Sequence, residues 1–149
     1  MSKSIIVVDI DGTVAQVGDR LKYLQQEKKD WDAFYEHCDE DEPIWDVIKM
    51  VEMFSMQEYR IVFCTGRRES VRQKTVEWLN DNLWLNSCTS LLMRKDNDWR
   101  PDTEVKPELL YNEGITPDSV LFIFEDRASM CKKWRELGFR CFQVADGDF

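Results

Sequence analysis

The sequence predicts an α/β fold: a Rossmann-like parallel sheet of about five strands with helices on both faces and a small helical insertion after the first strand. Three observations predict it. Short, continuous, β-branched runs such as Ile5-Ile6-Val7-Val8 read as strands covered on both faces. Stretches with apolar residues at helical spacing lie between such runs, and strands that alternate with helices imply a parallel sheet joined by crossovers. The length of 149 residues suits one domain with one core, expected to span residues 1–149.

In chain order, the strands are expected at Ile5 to Val8, Arg60 to Cys64, Thr89 to Met93, Val120 to Phe124 and Arg140 to Val144. After the first strand, residues 14–41 are too long for a simple connection, so they are expected to form a small cap insertion. Its apolar residues, Leu21, Tyr23 and Leu24, then Trp31, Phe34 and Tyr35, suffice for one or two short helices. Asp41, Glu42 and Pro43 then read as the N-terminal signal of a core-facing helix carrying Ile44, Val47, Ile48 and Val51. Gly66 is expected to turn the chain from the second strand into the helix marked by Val71, Thr75, Trp78 and Leu79. Met130, Lys133, Trp134 and Leu137 mark the last helix, with Gly138 as its stop. Pro107 favours a first helical position, which would keep Lys106 extended just before a helix N-terminus.

Composition bounds the function. A hydrophobic content of 43% and an aromatic content of 12% exclude disorder as the main state. Met-Ser-Lys-Ser leads directly into the first strand without a signal-peptide pattern, and no apolar run approaches the roughly 18 residues of a membrane span. A soluble, cytoplasmic protein without a membrane partner is expected. Cys38, Cys64, Cys88, Cys131 and Cys141 are odd in number and widely spaced, and His37 is the single imidazole, so they read as reduced thiols and not as a zinc site. The net charge of −9 argues against a broad nucleic-acid surface. Residues 1–60 carry 7 basic and 14 acidic side chains, whereas residues 61–110 carry 8 of each, so an anion site must be local and built from the middle third. The sequence carries no signal for an oligomeric state.

Four features fall at the ends of successive strands: Asp9 and Asp11 after the first, with Gly12 as the turn that follows them, Thr65-Gly66-Arg67 after the second, Lys106 beyond the third, and Glu125-Asp126 after the fourth. A parallel sheet brings all four to one edge, where open α/β sheets bind ligands. Arg67, Arg68, Arg72, Arg94, Lys95, Arg100 and Arg127 form a candidate electropositive rim; for all except Arg67 and Arg100, a solvated face paired with Glu69, Asp96, Asp98 and Asp102 is the preferred reading. Trp31, Phe34 and Tyr35 either stack a base or, the preferred reading, make the insertion's own small core.

This ordered set resembles the haloacid dehalogenase (HAD) superfamily of phosphotransferases across essentially the whole chain, with Asp9-Ile10-Asp11-Gly12-Thr13 matching its first motif. Within the superfamily the chain is most similar to the 3′-phosphatase domain of bacteriophage polynucleotide kinase. The similarity runs through Thr65-Gly66-Arg67-Arg68-Glu69-Ser70, the stretch Arg100 to Lys106, Asp126-Arg127 and the ending Gln143 to Phe149. The resemblance implies a Mg²⁺ ion held by the Asp9 carboxylate, the Asp11 backbone carbonyl and Asp126. Glu125 stands where the subfamily commonly has another aspartate and is expected in the outer shell. It further implies Asp9 as nucleophile forming an aspartyl-phosphate, Asp11 as acid and then base, Thr65 as a phosphoryl hydrogen-bond donor and Lys106 as the neutralising cation. Gly12, Thr13, Gly66, Arg67 and Arg100 would contact substrate. The activity implied is Mg²⁺-dependent removal of 3′-phosphate from nucleic-acid ends. A phosphatase of free nucleoside monophosphates or another small phosphoester, and an inactive phosphate-binding module, are the alternatives. No GxxxxGK[ST] occurs in the chain, so phosphorylation of 5′ ends is not expected of it.

Overall fold

The computed structural model describes residues 3–147; Met1 and Ser2, and Asp148 and Phe149 of the C-terminal similarity, lie outside the described residues. A five-stranded sheet is built from β1 (Ile5–Val8), β4 (Arg60–Arg68), β5 (Ser90–Arg94), β6 (Val120–Arg127) and β7 (Cys141–Gly147). All neighbours are parallel and the order is β5-β4-β1-β6-β7. The chain builds outward from β1 on one side and then crosses to the other, which makes the C-terminal tip of β1 the topological switch point of the sheet.

Alternation along β1 feeds two cores. Ile6 and Val8 pack with Val47, Ile48 and Val51 of α2 (Trp45–Met56) and with Trp78 and Leu79 of α3 (Arg72–Asn82). Ile5 and Val7 face the opposite side, where Leu110 of α4 (Asp102–Asn112) and Met130, Cys131 and Trp134 of α5 (Ala128–Glu136) cover them. Helices therefore lie on both faces. Gly138 follows α5 with φ 95°, the left-handed conformation of a helix stop. Among the described residues, no helix is long and apolar enough to cross a membrane.

Between β1 and α2 the chain forms β2 (Ala15–Gln16), a 3₁₀ turn over Asp19–Tyr23, α1 (Trp31–Glu36) and a second 3₁₀ turn over Cys38–Glu40. The Asp30 side chain caps α1 by accepting from the Ala33 N–H at 3.0 Å. An antiparallel pair of β2 with β3 (Glu42–Pro43) closes the segment at its base.

Three local expectations are corrected. Asp41, Glu42 and Pro43 do not start α2: its N-cap is Ile44 with no side-chain bond, Glu42–Pro43 pairs as a strand, and Asp41 is buried against Arg20. The helix that carries Lys106 starts at Asp102, with Pro101 at its N-cap and Pro107 inside. Asp102 and Glu104 in the first turn favour that start. An interior proline costs about 3 kcal/mol, but burial of Val105, Lys106, Pro107 and Leu110 holds this helix on the sheet. Gly66 does not turn the chain, since β4 runs on to Arg68; glycine is required there because a Cβ would fall on the Asp102 carboxylate.

Candidate active site

Asp9 leaves β1 at the switch point, its N–H donating to the Phe124 carbonyl of β6 at 3.0 Å. Its carboxylate is buried and held from two sides. Lys106 Nζ donates to Oδ1 at 2.7 Å and Thr13 Oγ1 donates to Oδ2 at 3.1 Å. The same ammonium donates to Glu125 Oε1 at 2.9 Å, while the Asp126 N–H donates to Glu125 Oε2 at 3.2 Å. Burial works against the Lys106 charge, but Asp9 and Glu125 outweigh it and hold the ammonium well above the usual lysine range.

Asp126 completes the cluster. A Cβ at Gly12, where φ is 83°, or at Gly147 would fall on the Asp126 Oδ2 oxygen, so two glycines leave the space in which this carboxylate sits. Carboxylate oxygens of Asp9, Glu125 and Asp126 all lie within 4.8 Å of one another. Three buried carboxylates face one ammonium, and burial together with the Asp9 charge pushes Asp126 up to about 7. Such a donor set, all hard oxygen and in excess of its protein countercharge, fits a divalent cation such as Mg²⁺.

Asp11 occupies a separate cluster. Arg20 Nη2 donates to its Oδ1 at 2.6 Å and Arg67 Nη2 at 2.7 Å. Arg20 also forks onto Asp41 at 2.8 and 2.7 Å, and its guanidinium lies 4.2 Å from the Phe34 ring centroid. Arg67, fully buried, reaches Thr75 Oγ1 at 3.1 Å and Asp41 Oδ2 at 3.4 Å. Burial alone would raise the Asp11 carboxyl, but Arg67 and then Arg20 outweigh it and hold it at about 2. The quartet ties the 14–41 segment to β4 and keeps Asp11 ionised.

A cleft of about 270 Å³ opens over Asp9, Asp11, Thr65 and Lys106. Its far wall is organised by Asp102, which pairs with Arg94 and, at 2.9 Å, with Arg127. Arg94 Nε donates to the Gly66 carbonyl at 2.9 Å, locking that wall to β4.

A family model described as the polynucleotide kinase PNKP phosphatase domain matches residues 3–149. The chain belongs to this family. It is 29% identical over 133 residues to a viral protein of Autographa californica nuclear polyhedrosis virus that carries the provisional name bifunctional polynucleotide kinase/RNA ligase. That match covers 89% of this chain and 18% of the relative. A chain of the solved Pnkp1/Rnl/Hen1 complex superposes with a TM-score of 0.82 at 30% identity, over 97% of this chain and 46% of that one. The protein thus spans less than half the length of these relatives. A haloacid dehalogenase-like hydrolase from Streptococcus pneumoniae shares the fold, with a TM-score of 0.64 at 14% identity over 94% of this chain and 83% of that one.

This PNKP-type phosphatase domain of the HAD family brings Asp9, Thr13, Lys106, Glu125 and Asp126 together and sets Asp11 beside them. Thr13 touches Asp9 and not the cleft, so it orients that carboxylate. Gly12 uses its N–H on the Ala15 carbonyl at 2.8 Å. Thr65 lines the cleft and accepts from the Arg67 N–H at 3.1 Å. Arg67 lies behind Asp11 and does not line the cleft, while Arg100 lines it with a guanidinium already paired to Asp98 and Glu108. Arg20 and Asp41 escaped sequence reasoning as site residues, and Arg94 and Asp102, expected on a solvated face, instead build a wall of the cleft. Arg20 sits in the polar stretch Gly18-Asp19-Arg20, which looks solvent-facing, and Arg94 and Asp102 look like an ordinary surface pair. The closest signal was Asp102, four residues before Lys106 and so one helical turn away.

Proposed function

We propose that this domain is a Mg²⁺-dependent phosphomonoesterase that removes 3′-phosphates from nucleic-acid ends through an aspartyl-phosphate. The observation that carries this reading is the Asp9 carboxylate, gripped by Lys106 and Thr13 at the β1 switch point and flanked by Asp126. Asp9, the Asp11 carbonyl and Asp126 would hold the metal, with Glu125 in the outer shell through its bond to Lys106. When bound, the ion supplies positive charge that offsets repulsion between the phosphate dianion and the carboxylate.

An Asp9 carboxylate oxygen forms a bond to phosphorus as the ester P–O bond breaks and its electron pair leaves with the 3′-oxygen. Lys106 stabilises charge on the phosphoryl group from a position that needs no rearrangement. Asp11 protonates the leaving oxygen and then takes a proton from the water that cleaves the acyl phosphate, a role worth roughly 10²- to 10⁴-fold. Arg20 and Arg67 keep Asp11 in its ionised form, the form required for the second half; the first half requires the carboxyl to carry a proton and slip from the arginine pair. Residues 14–41 act as the cap of a single domain, attached through the same arginines.

The family match and the relatives' names support a place among end-processing activities, alongside kinase or ligase partners. The free thiols, four of them buried, support a reducing, cytoplasmic setting. A second reading, hydrolysis of free nucleoside monophosphates, is favoured by the net charge of −9, since strand binding rests on several cationic contacts. Phosphate release with Mg²⁺ from a 3′-phosphorylated oligonucleotide, nucleoside monophosphates and an aryl phosphate separates the two. Asp9→Asn is expected to abolish turnover while leaving the fold intact, and surviving activity would sink the nucleophile assignment.

A further inference from the structure

The mouth of the cleft carries a stack that the chemistry at Asp9 does not use. Trp31 of α1 lies stacked on Tyr35 at 5.9 Å between centroids with the planes 26° apart. The Arg68 guanidinium lies 5.1 Å from the Tyr35 centroid and 4.5 Å from that of Trp99. Arg68 is buried and its Nη1 donates to Asp32 at 2.5 Å, so the cation is fixed in place. Trp99, in the connection between β5 and α4, is 70% exposed and serves no core. Trp31, Tyr35, Arg68 and Trp99 line the same cleft as Asp9 and Lys106.

We propose that Trp99, seated on Arg68, is the platform on which the nucleobase of the 3′-phosphorylated end stacks while its phosphate reaches Asp9. This rests on the reading of the site as a 3′-end phosphatase. An indole face held over a guanidinium and open to water beside an anion-binding cleft matches the chemistry of single-strand recognition, because every base offers a π-face. Beyond Trp31, Lys28 and Lys29 share a shallow hollow with Trp31, Arg68 and Trp99 and with Asp30 and Asp32; Asp30 caps α1 and Asp32 pairs with Arg68, which leaves the two lysines to meet a chain running away from the cleft. Asp32 already ties Arg68 to the cap, so Trp99 is not needed as a latch between cap and sheet.

The test compares kcat/KM on a 3′-phosphorylated oligonucleotide, on the same oligonucleotide ending in an abasic 3′-phosphate, and on acetyl phosphate. The stacking energy of one base predicts that the whole domain prefers the base-bearing end by about 5- to 150-fold. Trp99→Ala should bring that preference close to unity through KM, and Trp99→Phe should retain most of it. An equal loss on both ends, the signature of a merely structural residue, or an unchanged preference, would overturn the platform alone. Release from acetyl phosphate but from neither oligonucleotide would overturn the 3′-end reading and the platform with it. In the Asp9→Asn protein, the base-bearing oligonucleotide should quench tryptophan fluorescence, and adding Trp99→Phe should remove that quenching; quenching that persists would count against the platform.

Discussion

Replacing Lys106 by methionine tests the electrostatic logic of the site. The ammonium lies 2.7 Å from Asp9 and 2.9 Å from Glu125, and at an effective dielectric of about 20 each contact represents about 6 kcal/mol of gross attraction. Desolvation of the buried ammonium cancels much of it, and breaking such a pair from one side leaves a net loss of about 3–5 kcal/mol. That is a large share of the 5–15 kcal/mol typical of a domain. The loss must also depend on pH. Glu125 already stands well above the usual carboxylate range, through burial and then Asp9, and without Lys106 it stands higher still. Loss of the ammonium therefore leaves the native carboxylate cluster holding more proton than the parent's does, whereas the unfolded chains release theirs alike above the ordinary carboxylate pKa, so the stability gap between the two proteins widens with rising pH by up to about 1.4 kcal/mol per unit. Urea unfolding of Lys106→Met and the parent protein in chelator, from pH 5 to pH 8, reads both effects. A difference under about 1 kcal/mol at pH 7, or one that does not widen from pH 5 to pH 8, would refute the account of Lys106 as the countercharge of the buried carboxylates.

Acid should release the Asp11 quartet. Its folded pKa of about 2 lies below the ordinary 3.8, so the group contributes about 2 kcal/mol above pH 4 that is lost as pH falls through 2; acid unfolding of Asp11→Asn followed by circular dichroism should show that this contribution has gone. Gly147→Ala places a methyl on the Asp126 carboxylate and its backbone carbon. We expect at least a 100-fold loss of phosphate release with about 1–3 kcal/mol of destabilisation, measured by turnover and thermal unfolding; full activity would refute the glycine cradle. Chelation with EDTA should abolish phosphate release and added Mg²⁺ should restore it, and turnover that survives exhaustive chelation would exclude the metal role given to Asp9 and Asp126.

Short-range patterns in the sequence determined the five sheet strands, the helices that cover them and the convergence of Asp9, Thr65, Lys106 and Asp126. The reason is that β-branched runs and helical spacing encode burial directly, and parallel topology carries strand ends to one edge. Tertiary structure alone decided what each charge faces. Arg67 and Arg100 look alike in sequence, yet one is sealed behind Asp11 and the other pairs at the surface. Arg20 and Asp41, 21 residues apart, meet because the 14–41 segment folds back onto β4. The start of α4 was likewise decided by packing, since burial of Val105 and Leu110 on the sheet, with Asp102 and Glu104 in the first turn, outweighed the local preference of Pro107 for a first position. Glycine roles split along the same line. Gly12 could be read as a turn from its motif, whereas the crowding of Asp126 by Gly12 and Gly147, 135 residues apart in the chain, exists only once β1 and β7 flank β6. Ion pairs and close approaches depend on distances between segments remote in sequence, and no local pattern records those distances.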